Sequence, residues 1–310
     1  MGKIKILNPG LLSTIQDGGR FGYQQYGMPV AGAMDLHSLQ LANWCVRNPA
    51  HEACIEATIL GPTIEFQSDT YIAISGATIQ PFVNEQAINM NAGIKVRAGD
   101  VLSFGSIQTG CRIYIAIAGG FDIPELMESK STYLRGNLGG FEGRALKAGD
   151  ELEIADYERR LKGVVPEELI PNYSNFTEIR ITSGAEIKRF TMDGVKTFLC
   201  SVYSISPQSD RMGYRLSGQK IEHANGADII SSGIVTGAIQ VPGHGEPIIM
   251  MSDHQTVGGY TKIAQVISVD LPLLGQMKPG DQIKFKEVNL DQAQQLLLER
   301  NQWLKQHGIE

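Results

Sequence analysis

Side chains that could do chemistry are concentrated in three polar, glycine-rich segments. They cover residues 13–22 with 27–35, residues 206–216, and residues 241–247 with 252–262. Functional groups are common on loops that a rigid scaffold holds in place, so these segments are the candidate sites. We expect them to form a polar cleft, but their residue types alone do not identify a reaction.

The second segment has the densest set of candidate groups. Asp210 could act as an acid or a base, and the planar guanidinium of Arg211 suits a carboxylate or phosphate. Tyr214 adds a phenol and Arg215 a second guanidinium. The alternative is a turn in which Asp210 and Arg211 only close the corner of a β-barrel.

The other two segments also leave alternatives open. Asp17 and Arg20 could bind a ligand, or could pair with each other to order their loop. Asp253 and His254 resemble an acid–base pair, but neighbouring side chains on a strand point to opposite faces, so we expect only one to reach a given pocket. A metal site built from these two residues and His244 would need all three to converge, and we predict no metal.

Several classes of protein are disfavoured by motifs and charge. The chain has no Walker-type G-x-x-x-x-G-K-[ST] loop, no G-x-G-x-x-G after a strand and no G-x-S-x-G elbow. A net charge of -6 argues against a nucleic-acid partner. The N-terminus has no apolar signal region, and no stretch is apolar enough to span a membrane. Four cysteines without C-x-x-C spacing predict buried, reduced thiols, and we expect a cytoplasmic protein.

Glycine content and short apolar runs favour β structure. The 35 glycines among 310 residues indicate many tight turns. Apolar runs bounded by turn residues predict strands at 71–75, 112–118, 178–182, 247–252 and 263–267.

One turn pattern occurs three times, at residues 97–102, 147–152 and 278–283. Each copy is a basic residue, a spacer, Gly-Asp and then the start of a strand. Glycine permits positive φ and aspartate can bond to its own backbone, so the pattern predicts a turn that enters a strand.

Helices are predicted at three places. Residues 35–47 begin at Asp35 as N-cap, and residues 290–307 follow a capping box formed by Asn289 and Gln292. A short helix is predicted over residues 185–191. A charged, proline-containing stretch predicts a linker, so we expect domains at residues 1–156 and 176–310, joined by residues 157–175.

Five motifs occur in order within residues 3–290. They are TIQDGGR (14–20), GAMD (32–35), DRMGYRL (210–216), GAIQVP (237–242) and QTVGGY (255–260). Together they resemble the biotin-dependent carboxyltransferase family, also called allophanate hydrolase subunit 2, the KipA-like family or the 5-oxoprolinase C-subunit family. The resemblance implies a mainly β fold: two cyclophilin-like β-barrel domains, a few short helices and a C-terminal helix.

The resemblance also implies an activity and partners. It implies a hydrolase subunit of an ATP-dependent 5-oxoprolinase complex, which converts 5-oxo-L-proline to L-glutamate and uses ATP at the level of the complex. The implied partners are a KipI-like (allophanate hydrolase subunit 1) protein, a lactam-opening subunit and a small amide or lactam substrate. The alternatives are a carboxyltransferase or allophanate-type subunit for a urea-like substrate, and a non-enzymatic regulator that binds a KipI-like kinase inhibitor. No Ala-Met-Lys-Met motif is present, so we expect no covalent biotin on this chain.

The matching motifs carry the site hypotheses. The predicted catalytic residues are Asp210 and Asp253 as acid or base, with Tyr214 and Tyr260 as hydrogen-bond donors. The predicted substrate-binding residues are Arg20, Arg211, Gln16, Asp17, Gln255 and Thr256, the two arginines taking anionic groups of substrate or nucleotide. The family commonly has arginine where this chain has His254, so that guanidinium is absent here.

Overall fold

A computed structural model describes residues 2–157 and 161–309. The chain is mainly β with four short α-helices in this part, and the last helix lies near the C-terminus, as predicted. It divides into two compact units. The first contains Met1–Phe21, Ala31–Tyr173 and Gly308–Glu310, and the second contains Gly22–Val30 and Ser174–His307. The division into 1–156, 157–175 and 176–310 stays a prediction, and residues 158–160 of the predicted linker lie outside the described residues.

The first unit consists of two antiparallel sheets and one α-helix. Its elements are β1 Gly2–Asn8, β2 Leu12–Gln16, α1 Leu36–Cys45, β3 Cys54–Thr58, β4 Thr63–Phe66, β5 Thr70–Thr78, β6 Pro81–Val83, β7 Gln86–Ala87, β8 Ile94–Val96, β9 Val101–Phe104, β10 Thr109–Ile117 and β11 Glu151–Ile154. One sheet has the order β11-β1-β4-β9-β6-β7 and the other β2-β3-β10-β5-β8. Their inner faces contribute isoleucines such as Ile4, Ile64, Ile74 and Ile115 to one buried core. Successive side chains of a strand point to opposite faces of the sheet, so every second residue can enter this core.

The second unit is built around a closed barrel of seven strands. Its elements are β12 Phe176–Ser183, α2 Met192–Cys200, β13 Val202–Ile205, β14 Gly213–Ser217, β15 Asp228–Gly233, β16 Ala238–Gln240, β17 Ile248–Met250, β18 Val257–Tyr260, β19 Lys262–Val266, α3 Leu271–Gly275, β20 Gln282–Glu287 and α4 Leu290–Gln306. The barrel order is β12-β19-β16-β17-β14-β13-β20. The parallel pair β12–β20 closes it, from Phe176 opposite Gln282 to Ile181 opposite Glu287. Strands β15 and β18 form a separate two-stranded ribbon.

The repeated Gly-Asp pattern forms the predicted turn at all three places. The carboxylates of Asp100, Asp150 and Asp281 accept the backbone N–H three residues earlier at 2.8, 2.7 and 3.0 Å. The glycines before them have φ of +88°, +95° and +92°. Strands β9, β11 and β20 begin directly after these turns, so the pattern marks strand entry in both units.

Two of the three predicted helices form where expected. Asp35 Oδ1 accepts from Ser38 N at 2.9 Å at the start of α1, and the capping box of Asn289 and Gln292 begins α4. The prediction of a helix over residues 185–191 was wrong. Only a 3₁₀ turn forms there, at Ile187–Arg189, and α2 begins later because Thr191 is its N-cap.

Two further predictions concern membrane spans and cysteines. In the described part of the chain, no helix combines the length and apolarity that a bilayer-spanning segment requires. All four cysteines are free; Cys45, Cys54 and Cys111 are buried as predicted, but Cys200 is exposed, so that expectation was wrong for the cysteine at the end of α2.

Substitution of Gly280 tests how strongly one Gly-Asp turn depends on a residue that adopts positive φ without strain. A Cβ at this position would meet no atom within 4 Å, yet φ is +92°. We therefore expect Gly280→Ala to lower the free energy of unfolding by about 1–2 kcal/mol, from left-handed strain alone. Urea unfolding measures the change.

Gly233 is the matched control for that experiment. Its Cβ would also meet no atom within 4 Å, and its φ is not in the left-handed region. Gly233→Ala should leave the free energy of unfolding unchanged or raise it by less than about 1 kcal/mol. Equal effects at the two glycines would contradict the assignment of strain to residue 280.

Candidate functional site

In the first unit, the carboxylate of Asp17 accepts four hydrogen bonds, three of them from residues 129–131. It accepts from Ser129 Oγ at 2.8 Å, Ser131 Oγ at 2.5 Å and the backbone N of Lys130 at 2.6 Å. Gly19 N adds a fourth bond at 2.7 Å. The side chain is buried, so Asp17 orders its loop by binding residues 129–131.

Gln16 and Arg20 also donate hydrogen bonds to the segment that contains residues 129–132. Arg20 is fully buried and its Nη2 donates to Ser131 O at 2.6 Å. Gln16 Nε2 donates to Thr14 Oγ1 at 3.0 Å and to Thr132 O at 3.2 Å. The structure thus brings Gln16, Asp17 and Arg20 together against residues 129–132. Their role in substrate binding stays a prediction.

A polar network that the sequence analysis missed lies beneath α1. Tyr114 OH donates to Glu56 Oε2 at 2.7 Å and accepts from Asp35 N at 2.7 Å. Tyr173 OH donates to Asp35 Oδ2 at 2.9 Å. Burial, together with the charges of Glu56 and Asp35, raises the pKa of Tyr114 well above its usual value. The GAMD motif was the sequence signal for this network. Its aspartate, Asp35, is the N-cap of α1, and both tyrosines form hydrogen bonds with it.

In the second unit, Arg211 and Asp253 form a buried ion pair with two hydrogen bonds. Arg211 Nε lies 3.0 Å from Asp253 Oδ2, and Nη2 lies 2.9 Å from Oδ1. Asp253 N also donates to Arg211 O at 2.8 Å. Arg211 precedes β14 and Asp253 follows β17, so the pair holds the ends of two neighbouring strands together. Both side chains are buried, and removal of one partner would leave the other charge uncompensated.

Asp210 and Tyr214 flank that pair but face different surroundings. Asp210 is exposed; its Oδ1 accepts from Met212 N at 2.8 Å and from Gly213 N at 3.3 Å. Its Oδ2 has no hydrogen-bond partner among the described residues. Tyr214 is buried inside the barrel, where its hydroxyl donates to Met277 O at 3.1 Å. Only Asp210 of these two presents its polar atoms to solvent.

The QTVGGY motif follows Asp253 and His254 in the chain, and its last four residues form strand β18 of the two-stranded ribbon. His254 is buried, and its Nδ1 lies 2.6 Å from Gln255 O. Gln255 is exposed, Thr256 is half-buried and the Tyr260 side chain is 42% exposed on β18. Gln255, Thr256 and Tyr260 are therefore open to a ligand, whereas His254 is not.

Parts of the second and third polar segments meet in one cleft on the barrel. The cleft has a volume of about 340 Å³. It is lined by Ser206, Gln208, Arg215, Leu216, Ser217, His244, Glu246, Pro247 and Ile248. None of the predicted catalytic or substrate-binding residues lines it. Among the described residues, no group of three His, Cys, Asp or Glu side chains is placed to hold a metal ion.

The burial of His254 predicts a pH dependence of stability. Burial lowers the pKa of His254 below 6.5, although the charge of Asp253 acts in the opposite direction. The unfolded chain therefore binds a proton that the folded chain does not, and stability is lost as pH falls below about 6.5. We expect His254→Gln to reduce this loss in urea unfolding between about pH 7.5 and 5.5. An unchanged slope in His254→Gln would contradict the assignment.

Comparison with known proteins places these features in a family. Residues 26–287 match the carboxyltransferase domain, subdomains A and B. The chain is 36% identical to the 5-oxoprolinase C subunit of Escherichia coli strain K12, over 98% of this chain and 97% of that protein. Its identity to the 5-oxoprolinase C subunit of Haemophilus influenzae is also 36%, with 98% and 97% covered.

Larger proteins contain a related region. Urea amidolyase of Lachancea kluyveri is 36% identical over 94% of this chain, which corresponds to 17% of that protein. The solved structure of Kluyveromyces lactis urea amidolyase superposes with a TM-score of 0.94 at 33% identity, over 99% of this chain and 20% of the solved chain. The motifs, the barrel fold and the match over residues 26–287 agree, and this chain belongs to the family of carboxyltransferase domains with subdomains A and B.

Proposed function

We propose that this chain is the C subunit of an ATP-dependent 5-oxoprolinase, a complex that converts 5-oxo-L-proline to L-glutamate. It acts with a KipI-like subunit and a lactam-opening subunit, and ATP is consumed by the complex. One observation carries the proposal: the alignment with the 5-oxoprolinase C subunit of Escherichia coli includes 98% of this chain and 97% of that protein. Nearly every part of that relative thus has a counterpart here.

The chemistry of the lactam explains why such a complex uses ATP. An unstrained amide is a poor electrophile, and phosphorylation turns it into a better one. Activation also requires orientation of the amide and stabilisation of the charge that develops on it. Guanidinium groups, amide N–H groups and hydroxyl groups supply that stabilisation, and an acid or base moves the proton.

Exposure decides which predicted residues we assign to these steps. Asp210 is our candidate acid or base, because it is exposed and its Oδ2 is available. Gln255, Thr256 and Tyr260 stay candidates for substrate contact, since Gln255 and Tyr260 are exposed and Thr256 is half-buried.

The buried residues are assigned positioning roles. Arg211 and Asp253 hold each other through two hydrogen bonds and fix the turn that presents Asp210. Tyr214 follows that turn in β14, and inside the barrel its hydroxyl donates to Met277 O. Gln16, Asp17 and Arg20 order their own loop in the first unit by the contacts already described.

A second candidate function is supported by the similarity to urea amidolyase. The TM-score of 0.94 to the Kluyveromyces lactis protein means that the same fold serves in an enzyme named for urea. In that case the chain would act as a carboxyltransferase-type subunit on a urea-like substrate. Biotin would then arrive on another protein, since we expect none on this chain.

Reconstitution tests the proposed function directly. We expect ADP release that depends on 5-oxoproline, together with glutamate formation, when this chain is combined with a KipI-like subunit and a lactam-opening subunit. Omission of this chain should reduce both to background. Turnover with urea and a carboxybiotin carrier, but not with 5-oxoproline, would support the second candidate instead.

The role of Asp210 is tested in the same assay. Asp210→Asn keeps an acceptor for Met212 N and Gly213 N but removes the titratable group. We expect a loss of about 100-fold in 5-oxoproline-dependent ADP release, within the usual contribution of a general acid or base. Asp291→Asn, at an acidic residue in the first turn of α4, should change the rate less than about twofold. A similarly small effect of Asp210→Asn would refute the assignment.

A further inference from the structure

Arg215 is one of the residues that line the cleft on the barrel of the second unit. Tyr214 and Leu216 are buried inside the barrel, so Arg215 between them points outward. On one side Arg215 pairs with Ile248 of β17. On the other side Ser206 N donates to Arg215 O at 2.9 Å. The nearest cross-strand neighbours of this cation are therefore an isoleucine and a serine, neither of them acidic.

The two arginines of the DRMGYRL motif differ in whether a carboxylate of the protein already pairs with the guanidinium. Asp253 occupies the Nε–Nη2 edge of Arg211. Arg215 is exposed, and its guanidinium makes no hydrogen bond or ion pair with any residue in 2–157 or 161–309. A guanidinium with an open edge in a cleft suits a carboxylate, which it can bind through two parallel hydrogen bonds.

Gln208 adds a donor to the same cleft. Ser206 Oγ donates to Gln208 Oε1 and accepts from Gln208 N at 3.2 Å. Ser206 itself is buried, so this arrangement anchors the amide of Gln208. Because Oε1 is occupied, the Nε2 group is the part of the amide that remains available to a ligand. It has no partner among the described residues.

Glu246, which also lines the cleft, supplies an acceptor. Glu246 Oε2 lies 3.7 Å from His244 Nε2, and both side chains are about half exposed. A carboxylate in this place can accept a hydrogen bond from an N–H of a ligand. The volume of about 340 Å³ is at the low end of ligand pockets, which span about 300–1,000 Å³, so the ligand is small.

From this arrangement we propose that the cleft binds a small carboxylic acid with an N–H on the carbon next to the carboxylate. Arg215 and Gln208 hold the carboxylate, and Glu246 accepts the N–H. 5-Oxoproline has this pattern, and its choice as the ligand rests on the proposed function. The cleft then takes the place of Gln255, Thr256 and Tyr260 as the contact for the carboxylate of the substrate, since none of these three lines it. Arg215 thereby becomes a substrate-binding residue; the sequence analysis named its guanidinium in the second segment but did not include it among the predicted site residues.

Titration calorimetry of the full chain tests the site. We expect 5-oxoproline to bind the wild-type chain, and Arg215→Gln to weaken binding by about tenfold or more, as for loss of a hydrogen bond to a charged group. Gln208→Glu keeps the acceptor for Ser206 but places a negative charge beside the carboxylate, so it should weaken binding as well. Lys188→Gln removes an exposed cation outside the cleft and should bind as the wild type does.

Two ligand analogues separate the contributions of the carboxylate and the N–H. 2-Pyrrolidinone keeps the lactam but lacks the carboxylate, so its weak binding should be the same in wild type and Arg215→Gln. Cyclopentanecarboxylate keeps the carboxylate but lacks the N–H, so it should bind more weakly than 5-oxoproline. Equal binding of the two acids would overturn the role of Glu246, and binding unaffected by either cleft variant would overturn the site.

The reconstituted complex separates this inference from the proposed function. Arg215→Gln should raise KM for 5-oxoproline by about tenfold or more, with Lys188→Gln unchanged. Turnover with an unaltered KM in Arg215→Gln would refute the cleft and leave the proposed function in place. Binding that depends on Arg215 in a complex without 5-oxoprolinase activity would refute the proposed function and leave the cleft in place.

Discussion

Closure of the seven-stranded barrel is the constraint on which the second unit depends. The parallel pair β12–β20 joins the first and last strands of the barrel over six residue pairs, so every strand has two neighbours. A closed barrel has an inside and an outside, and side-chain alternation then assigns each residue to one of them. Tyr214 therefore lies inside the barrel and Arg215 on its outer face, although both belong to the DRMGYRL motif.

Polar groups that the barrel buries must find partners within the protein. Arg211 and Asp253 meet this requirement together, because their strands β14 and β17 are neighbours and their bonds are of ordinary length. A buried ion pair contributes little net stability, but loss of one partner is strongly unfavourable. The pair therefore holds in place the turn with Asp210 and the start of the segment with Gln255.

The first unit satisfies its buried charges in the same manner. Asp17 accepts four hydrogen bonds, from two serines and two backbone N–H groups. Asp35 caps α1 and also accepts from Tyr173. In the second unit the candidate groups that remain available for a substrate are exposed ones, and burial separates residues that shape a loop from residues that can reach a ligand.

Local sequence determined much of this protein. The Gly-Asp turns at Asp100, Asp150 and Asp281, the N-cap of α1 and the capping box of α4 formed as predicted, because each depends on residues within a few positions of one another. Motifs in their order also identified the family. Only the tertiary structure decided that Arg211 is paired whereas Arg215 is open, since that difference depends on Asp253, which is distant in the chain. For the same reason it decided that Asp17 binds Ser129 and Ser131: a buried group takes its partners from whatever the fold brings near, and spacing along the chain does not record that.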